Sequence, residues 1–312
     1  MSAFMNSISS VFVILLMTAS GYFFGMKKWI LAEHKHFLEK YIMNFAIPCM
    51  CVDSLVRNLS QEILRGSLRI VAVSAMGLCL TTLLSTLVAY LLRLPRNRAG
   101  AFIVMGGFSN AIFVGYPMCR ELFGEEAVVY VMLFFLSNSL LIYIGCNAAF
   151  AWFSETGSKL SLGNVLKKIF INPPVISAFI GILLVVTGIT LPRTVNSFIG
   201  YIGATVSPLA LLYCGFIIFE AGIKNIRFDR GIAVMPVMRF VLAPLVCAAL
   251  CRIFNISAPA SSVITVEMAM PVITIIVVMA KQWDADAEYA AIGVVLSTLA
   301  CFIVVPILMM FF

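Results

Sequence analysis

The chain has 312 residues, of which 62% are hydrophobic and only 11% charged, with a mean hydropathy of +1.07. Soluble domains carry roughly 45–50% apolar and about 25% charged residues. A chain this poor in charge cannot cover a water-facing surface, so the composition excludes soluble enzymes, nucleic-acid binders and secreted disulfide scaffolds. The formal net charge of +7 comes from 21 Lys+Arg against 14 Asp+Glu. The basic residues fall between apolar runs, so they are read as determinants of membrane topology. The cysteines lie almost entirely inside apolar runs and form no CxxC pair, which marks them as buried packing residues. His34 and His36 share one basic loop without a third ligand, so no metal site is expected there.

A membrane-spanning helix needs about 20 apolar residues. Ten candidate spans follow along the chain, at roughly 8–26, 38–56, 68–92, 99–120, 126–153, 173–191, 197–220, 231–251, 260–280 and 288–311. Residues 1–10 hold no Lys or Arg, so the first span is not expected to be a cleavable signal peptide. It is followed at once by Lys27, Lys28 and Lys35, which places the N-terminus outside the cytoplasm. The inner loops then hold Lys27, Lys28, Lys35, Lys40, Arg93, Arg96, Arg98, Lys159, Lys167, Lys168, Lys224, Arg227, Arg230 and Lys281, and the outer side Arg57, Arg65, Arg69, Arg120, Arg193 and Arg252. That bias predicts a multi-pass protein of the cytoplasmic membrane with both termini outside.

An internal repeat runs through these spans. Span two contains Phe45-Ala46-Ile47-Pro48 and span seven Val206-Ser207-Pro208-Leu209; spans four and nine contain Pro117 and Pro271; span five has Leu136-Ser137-Asn138-Ser139 and span ten Leu296-Ser297-Thr298-Leu299. Residues 8–153 and 173–311 therefore read as two copies of a five-helix unit, joined by the polar stretch 154–172. Because five is odd, the copies are expected in opposite orientation. The fold class expected is an all-α membrane protein of two inverted five-helix repeats.

Spans four and nine carry the breaks. Gly106, Gly107, Ser109, Asn110, Gly115 and Pro117 crowd the middle of one, and Pro271 interrupts the other. Proline removes a backbone donor and clashes with the preceding turn. Open backbone at membrane depth is tolerated only where it is buried in protein or lines a wet cavity. Matched interruptions in the two halves point to a central substrate site. Helix N-termini resuming after the breaks offer N–H groups and a positive dipole end, which suits a small carboxylate, and Asn110 adds an amide.

Glu267 lies one helical turn before Pro271, where an isolated charge costs about 2.5–3.5 kcal/mol on insertion scales. It is a candidate for carrying a coupling proton or binding a cation; the structural alternative is a neutral acid bonded to nearby backbone. Asp53 and Arg57 are spaced as an i,i+4 pair. Arg239 is expected to snorkel toward the cytoplasm, with attraction of an anionic substrate as the other reading. Glu220 is expected to be solvated, Asn138 to reach the site, and Asn147 to serve packing as readily as the site.

Four stretches carry a resemblance. FAIPCMCVDSL (45–55), FSNAIFVGYPMCRELFG (108–124), SPLALLYCGFIIFEAG (207–222) and EMAMPVITIIVVMAKQWDADAEYAAIGVVLSTLACFIVVPI (267–307) resemble spans two, four, seven, and nine with ten of the auxin efflux carrier family. That family includes plant auxin exporters and bacterial malonate- and malate-type carriers. The resemblance implies spans four and nine crossing at their prolines, with Asn110, Pro117 and Pro271 at the crossing. It also implies a scaffold (8–56 and 173–220) that forms a homodimer, and a transport domain (68–153 and 231–311) that moves as an elevator. The plant members' charged pair in span three is absent from Ser74 to Thr82, and their long central loop is reduced here to 154–172. Auxin is thus not the expected substrate, and small carboxylates such as malonate, malate or lactate are.

The candidate substrate contacts are Asn110, Ser109, Gly115, Pro117, Met270, Pro271, Asn138 and Thr274, with Glu267 as the coupling group. No catalytic constellation of paired aspartates, zinc-binding histidines or a Ser-His dyad is present in the sequence, so no enzyme, metal or cofactor is expected. A receptor or interaction protein would not need matched broken helices. A sodium-coupled carrier of the bile-acid symporter type would need an oxygen cage, to which Asn110, Ser109, Glu267 and Thr274 are the available contributors. The coupling ion, H+ or Na+, stays open. Nucleic acid is not an expected partner; a small carboxylate and the lipid bilayer are.

Overall fold

The computed structural model describes residues 2–153, 163, 167, 171–222 and 228–311. The expected hinge residues 154–162, together with Lys159, Lys168, Lys224 and Arg227, lie outside the described residues. The described chain is all-helical, the sole bridge of β type being an isolated one. In chain order the helices are α1 (Ser2–Met26), α2 (Ala32–Tyr41), α3 (Ile47–Asn58), α4 (Gln61–Leu91), α5 (Arg96–Gly107), α6 (Tyr116–Phe123), α7 (Val128–Phe153) and α8 (Pro173–Thr187). They continue as α9 (Arg193–Ala204), α10 (Val206–Ala221), α11 (Arg230–Val237), α12 (Ala243–Ile253), α13 (Ala260–Met268), α14 (Ile276–Gln282) and α15 (Ala287–Leu308).

Six stretches of the described residues are long and apolar enough to cross a membrane: Ser9–Met26, Gln61–Leu91, Glu125–Phe153, Arg193–Ala221, Arg230–Ile253 and Ala287–Leu308. The other expected spans are shorter or interrupted. Helix α8 has only 15 residues, α2 begins in a charged segment, and the two proline-rich stretches are broken.

Three of the prolines are accommodated in the same way. Before Pro48, Pro117 and Pro244 the helix widens into π turns, Ile42–Ala46, Ala111–Gly115 and Met238–Leu242. In each the residue preceding proline donates its N–H five residues back: Ile47 to Ile42, Tyr116 to Ala111 and Ala243 to Met238. A wider turn relieves the clash between the proline ring and the carbonyl four residues earlier while keeping the helix continuous.

Helix α1 packs along α10, and α3 lies against α8 and α9. Helices α4, α5 and α7 pack together, with α12 against α4 and α13, and α15 against α14 and α5. At the α1–α10 contact, a Cβ at Gly21 would overlap the Leu212 backbone and one at Gly215 the Thr18 carbonyl. The two helices thus touch backbone to backbone through reciprocal glycines, the small-residue packing expected where lipid supplies no hydrophobic drive between helices. Large apolar side chains such as Leu68, Leu83, Leu91 and Ile303 face outward, as a lipid-facing surface requires.

Charged loops are tied together at one end. Arg98 donates to Asp286 at 2.8 Å and to Asp229 at 2.9 Å. The same two aspartates cap α15 and α11 through the Tyr289 and Ile232 N–H groups, so one guanidinium joins the starts of three helices. Lys35 pairs with Glu220 at 2.5 Å, and Glu220 is solvent-exposed as expected. At the opposite end Asp53 pairs with Arg57 at 2.6 Å, Arg120 pairs with Glu125, and Asn58 Nδ2 donates to the Glu125 carbonyl at 3.3 Å.

The α1–α10 contact gives a direct test. Gly215→Leu forces a side chain into the Thr18 carbonyl, and overpacking of this kind costs about 1–3 kcal/mol. Thermal unfolding of the detergent-solubilised protein should show a lower Tm. An unchanged Tm would mean that α1 and α10 do not pack through these glycines.

Candidate functional site

The two interrupted stretches meet. Helix α5 ends at Gly107, and the chain runs extended through Phe108–Asn110 before the π turn and α6 resume. Helix α13 ends at Met268, and residues 269–275 lead irregularly into α14. The openings pair with each other: Ser109 and Val272 form an antiparallel bridge, and the Asn110 N–H donates to the Pro271 carbonyl at 2.8 Å. Each break supplies partners to the other's orphaned backbone, the condition under which irregular backbone survives at membrane depth.

The break in the first stretch therefore sits at Ser109 and Asn110, not at Pro117. Pro117 lies inside the helix that resumes at Ala111, where the π turn before it makes room for the ring. The end of α5 is packed against α4. Gly106 and Gly107 lie so close to Ser85 and Thr82 of α4 that a Cβ on either would collide with those side chains. Asn110 then caps the resuming helix, its Oδ1 accepting from the Phe113 N–H at 3.3 Å.

Beside this junction lies a small, partly open cavity of about 90 Å³. Ser109, Asn110, Asn138, Ser139 and Thr274 line its polar part. Ile112, Phe113, Phe135, Ile273 and Tyr213 line the apolar part, with Phe113 and Tyr213 in ring contact at 5.2 Å between centroids. Three buried polar atoms here have no partner within the described molecule: Ser109 Oγ, Asn110 Nδ2 and Asn138 Oδ1. Asn138 is fixed by its own Nδ2, which donates to the Ser109 carbonyl at 2.9 Å. Buried polar atoms left unpaired cost about 1–3 kcal/mol each, so a ligand that meets them gains what the fold forgoes. The cavity shares Glu39, Met43, Tyr143, Asn172 and Ile275 with a second, wider one that also takes in His36, Lys40, Asn147 and Lys167. The mouth is therefore basic and lies at the end where the Lys35–Glu220 pair is found.

The nine candidate residues divide into two sets. Asn110, Ser109, Asn138 and Thr274 line the cavity. Gly115, Pro117, Met270, Pro271 and Glu267 do not; they form the crossing behind it. Pro271 contributes its carbonyl to Asn110, and Met270 its carbonyl to Arg239. Glu267 is wholly buried, its Oε1 accepting from the Cys119 thiol at 3.4 Å, and it lies so close to Gly115 that any Cβ there would strike the carboxylate.

Arg239 does not snorkel. It is wholly buried, and its Nε donates to the Met270 carbonyl at 2.6 Å and its Nη1 to the Gly106 carbonyl at 3.3 Å. The sequence pattern also missed Phe113, Tyr213 and Ser139. Aromatic and hydroxyl residues are common in apolar helices, and nothing in their spacing marks them out.

A family model described as membrane transport protein matches residues 6–309. The chain belongs to this family, that of the auxin efflux carriers. Among its relatives is an uncharacterized transporter of Methanocaldococcus jannaschii, 24% identical over 95% of this chain and 96% of the relative. One from Methanothermobacter thermautotrophicus is 23% identical over 97% and 98%. The uncharacterized transporter YfdV of Escherichia coli is 19% identical over 97% and 96%. Family membership and the long apolar helices together make this a multi-pass membrane transport protein.

Within this membrane transport protein the two roles of Asn110 separate by substitution. Asn110→Ala removes both the helix cap and the cavity amide. Stability should fall by about 1 kcal/mol, the worth of an N-cap, and uptake by roughly tenfold or more, the worth of one buried hydrogen bond. Asn110→Asp keeps the cap, so the melting temperature should return while uptake does not. Parallel recovery of both would take Asn110 out of substrate contact.

Proposed function

We propose that this chain is a secondary active transporter that moves small organic carboxylate anions, of the malonate, malate or lactate kind, across the cytoplasmic membrane by elevator-like alternating access. The observation that carries this reading is the cavity at the junction of the two broken stretches, with an unpaired Asn110 amide in its wall and a basic mouth. An amide donor and the leading N–H groups of the helix that resumes at Ala111 offer hydrogen bonds to a carboxylate without a fixed positive charge in the cavity. A hydrogen bond to a charged group contributes about 1.5–3 kcal/mol. Two or three such bonds hold an anion firmly enough to select it and weakly enough to release it.

In this reading the chain crosses the membrane ten times, as two inverted repeats (8–153 and 173–311) with both termini outside. The helices α1, α2, α3, α8, α9 and α10 form the scaffold, which pairs with a second copy. The remaining helices from α4 to α7 and α11 to α15 form the moving body. Support comes from the packing, which groups α1 with α10 and α3 with α8 and α9. The cavity is walled from both groups, by Met43 and Tyr213 on one side and Asn110 and Thr274 on the other. Contacts between the groups at the far end, Asn58 to Glu125 and the Ser10 hydroxyl to the Glu121 carbonyl at 3.0 Å, hold that side closed.

The test is uptake by proteoliposomes across a panel of small mono- and dicarboxylates, with and without pH and sodium gradients. Saturable uptake of at least one carboxylate, lost in Asn110→Asp, is expected. No uptake or competition by any carboxylate would remove the anion reading.

Glu267 is proposed as the proton-coupling group. It is the acid deepest in the membrane-spanning stretches, and one of its oxygens has no partner in the described structure. Glu267→Gln mimics the protonated acid permanently. It should keep substrate exchange and lose accumulation driven by a pH gradient. Wild-type accumulation in Glu267→Gln would leave Glu267 with a purely structural role.

A further inference from the structure

The crossing has two kinds of helix end, and the cavity uses only one. The N-terminal turn beginning at Ala111 faces the cavity. The C-terminal ends of α5 and α13 face away from it, and both are held by Arg239: Nη1 reaches Gly106 in the last turn of α5, and Nε reaches Met270 just past the end of α13. Helix C-termini carry partial negative charge and unpaired carbonyls. Converging C-terminal ends with a nearby carboxylate are the environment in which membrane carriers bind a monovalent cation. Glu267, on the last turn of α13, supplies that carboxylate.

Arg239 is wholly buried inside the π turn Met238–Leu242. The widened turn matters here, because it shifts the side-chain register of the helix where the guanidinium has to reach two separate carbonyls. A buried guanidinium is costly unless its charge and donors are matched. Two carbonyls take Nε and Nη1, while Nη2 has no partner among the described residues and no contact ion pair neutralises the charge. The oxygen set expected for sodium, Asn110, Ser109, Glu267 and Thr274, is split by the fold: three of these line the cavity and Glu267 lies behind it, on the Arg239 side of the crossing.

We propose that Arg239 is the resident cation of the crossing, a positioning residue that fills the carbonyl-lined place a sodium ion would take in a sodium-coupled carrier, so that transport by this chain does not use sodium. The proposal rests on the transporter reading above for its uptake arm alone. Its other arm is thermal unfolding of the purified full-length protein, which needs no substrate.

Wild-type protein should melt at the same temperature in sodium and in choline buffers, and uptake of a carboxylate from the panel should not change when sodium is replaced by choline. Arg239→Ala should melt lower, and millimolar guanidinium should raise its Tm while leaving wild type unmoved. Arg239→Lys keeps the charge but lacks the planar fork that reaches both carbonyls; its uptake should fall about ten- to a hundredfold, the worth of one hydrogen bond to a charged group. A saturable rise of the wild-type Tm with sodium, or sodium-dependent wild-type uptake, overturns the proposal even where Arg239→Ala does not fold. Guanidinium-insensitive Arg239→Ala with wild-type uptake overturns it as well. If no carboxylate is taken up, the anion reading fails while the melting experiments still decide the role of Arg239.

Discussion

A polypeptide that opens inside a membrane must find partners for its own backbone, and the architecture of this protein follows from how it does so. The Asn110 N–H on the Pro271 carbonyl, with the Ser109–Val272 bridge beside it, lets two interrupted helices complete each other. Neither break is sustainable alone, since unsatisfied backbone groups in hydrocarbon cost several kcal/mol each. Their pairing fixes where the resuming helix ends can stand, and so fixes the cavity. Asn138 on α7 and Ser297 on α15 extend the same logic: Asn138 donates to the Ser109 carbonyl, and the Ser297 hydroxyl accepts from the Val272 N–H at 3.0 Å. One polar residue from each long flanking helix thus serves the backbone of the nearer break.

Those two residues sit in Leu136–Ser139 and Leu296–Leu299, the two segments that the sequence pattern pairs. Each gives a polar partner to the backbone of a broken stretch. Composition made the membrane class plain, and the apolar runs located nearly all the helical stretches. The interruption in the 260–282 stretch was visible from Pro271. The one in the 96–123 stretch was misplaced toward Pro117, because proline is the strongest breaker in isolation. In the fold, a π turn absorbs Pro117, as it does Pro48 and Pro244. The break falls instead where Gly106 and Gly107 press against α4 and Asn110 restarts the helix, a tertiary cause that no local pattern displays.

Charged residues were the harder case. Reading Arg239 as a snorkelling side chain followed from its depth and length, and that inference holds only if nothing deeper offers better partners. Here the C-terminal ends of two broken helices do, and a single-span view cannot see them. Glu267 was recognised as exceptional from its depth alone, yet its neighbours, Gly115 and Cys119, come from the other broken stretch. Gly115 is small for this reason: the carboxylate occupies the space a side chain would need. The Asp53–Arg57 pair, by contrast, was legible outright, since an i,i+4 spacing on one helix determines the contact without the fold.

The charges at the crossing are sorted by the polarity of the helix ends. The guanidinium lies against the carbonyl ends, and the cavity lies at the start of the helix that resumes at Ala111. The acid nearest the crossing, Glu267, is on the guanidinium side and away from the cavity wall. The cavity wall therefore presents the unpaired Asn110 amide, with Glu267 behind the crossing and Glu39 the one carboxylate in its lining. Glu39 lines both the cavity and the wider mouth, where Lys40 and Lys167 also stand. Fixed base in the cavity itself would hold an anion more tightly and release it more slowly, which a carrier does not need. Arg239 thus keeps its positive charge behind the crossing and out of the cavity lining.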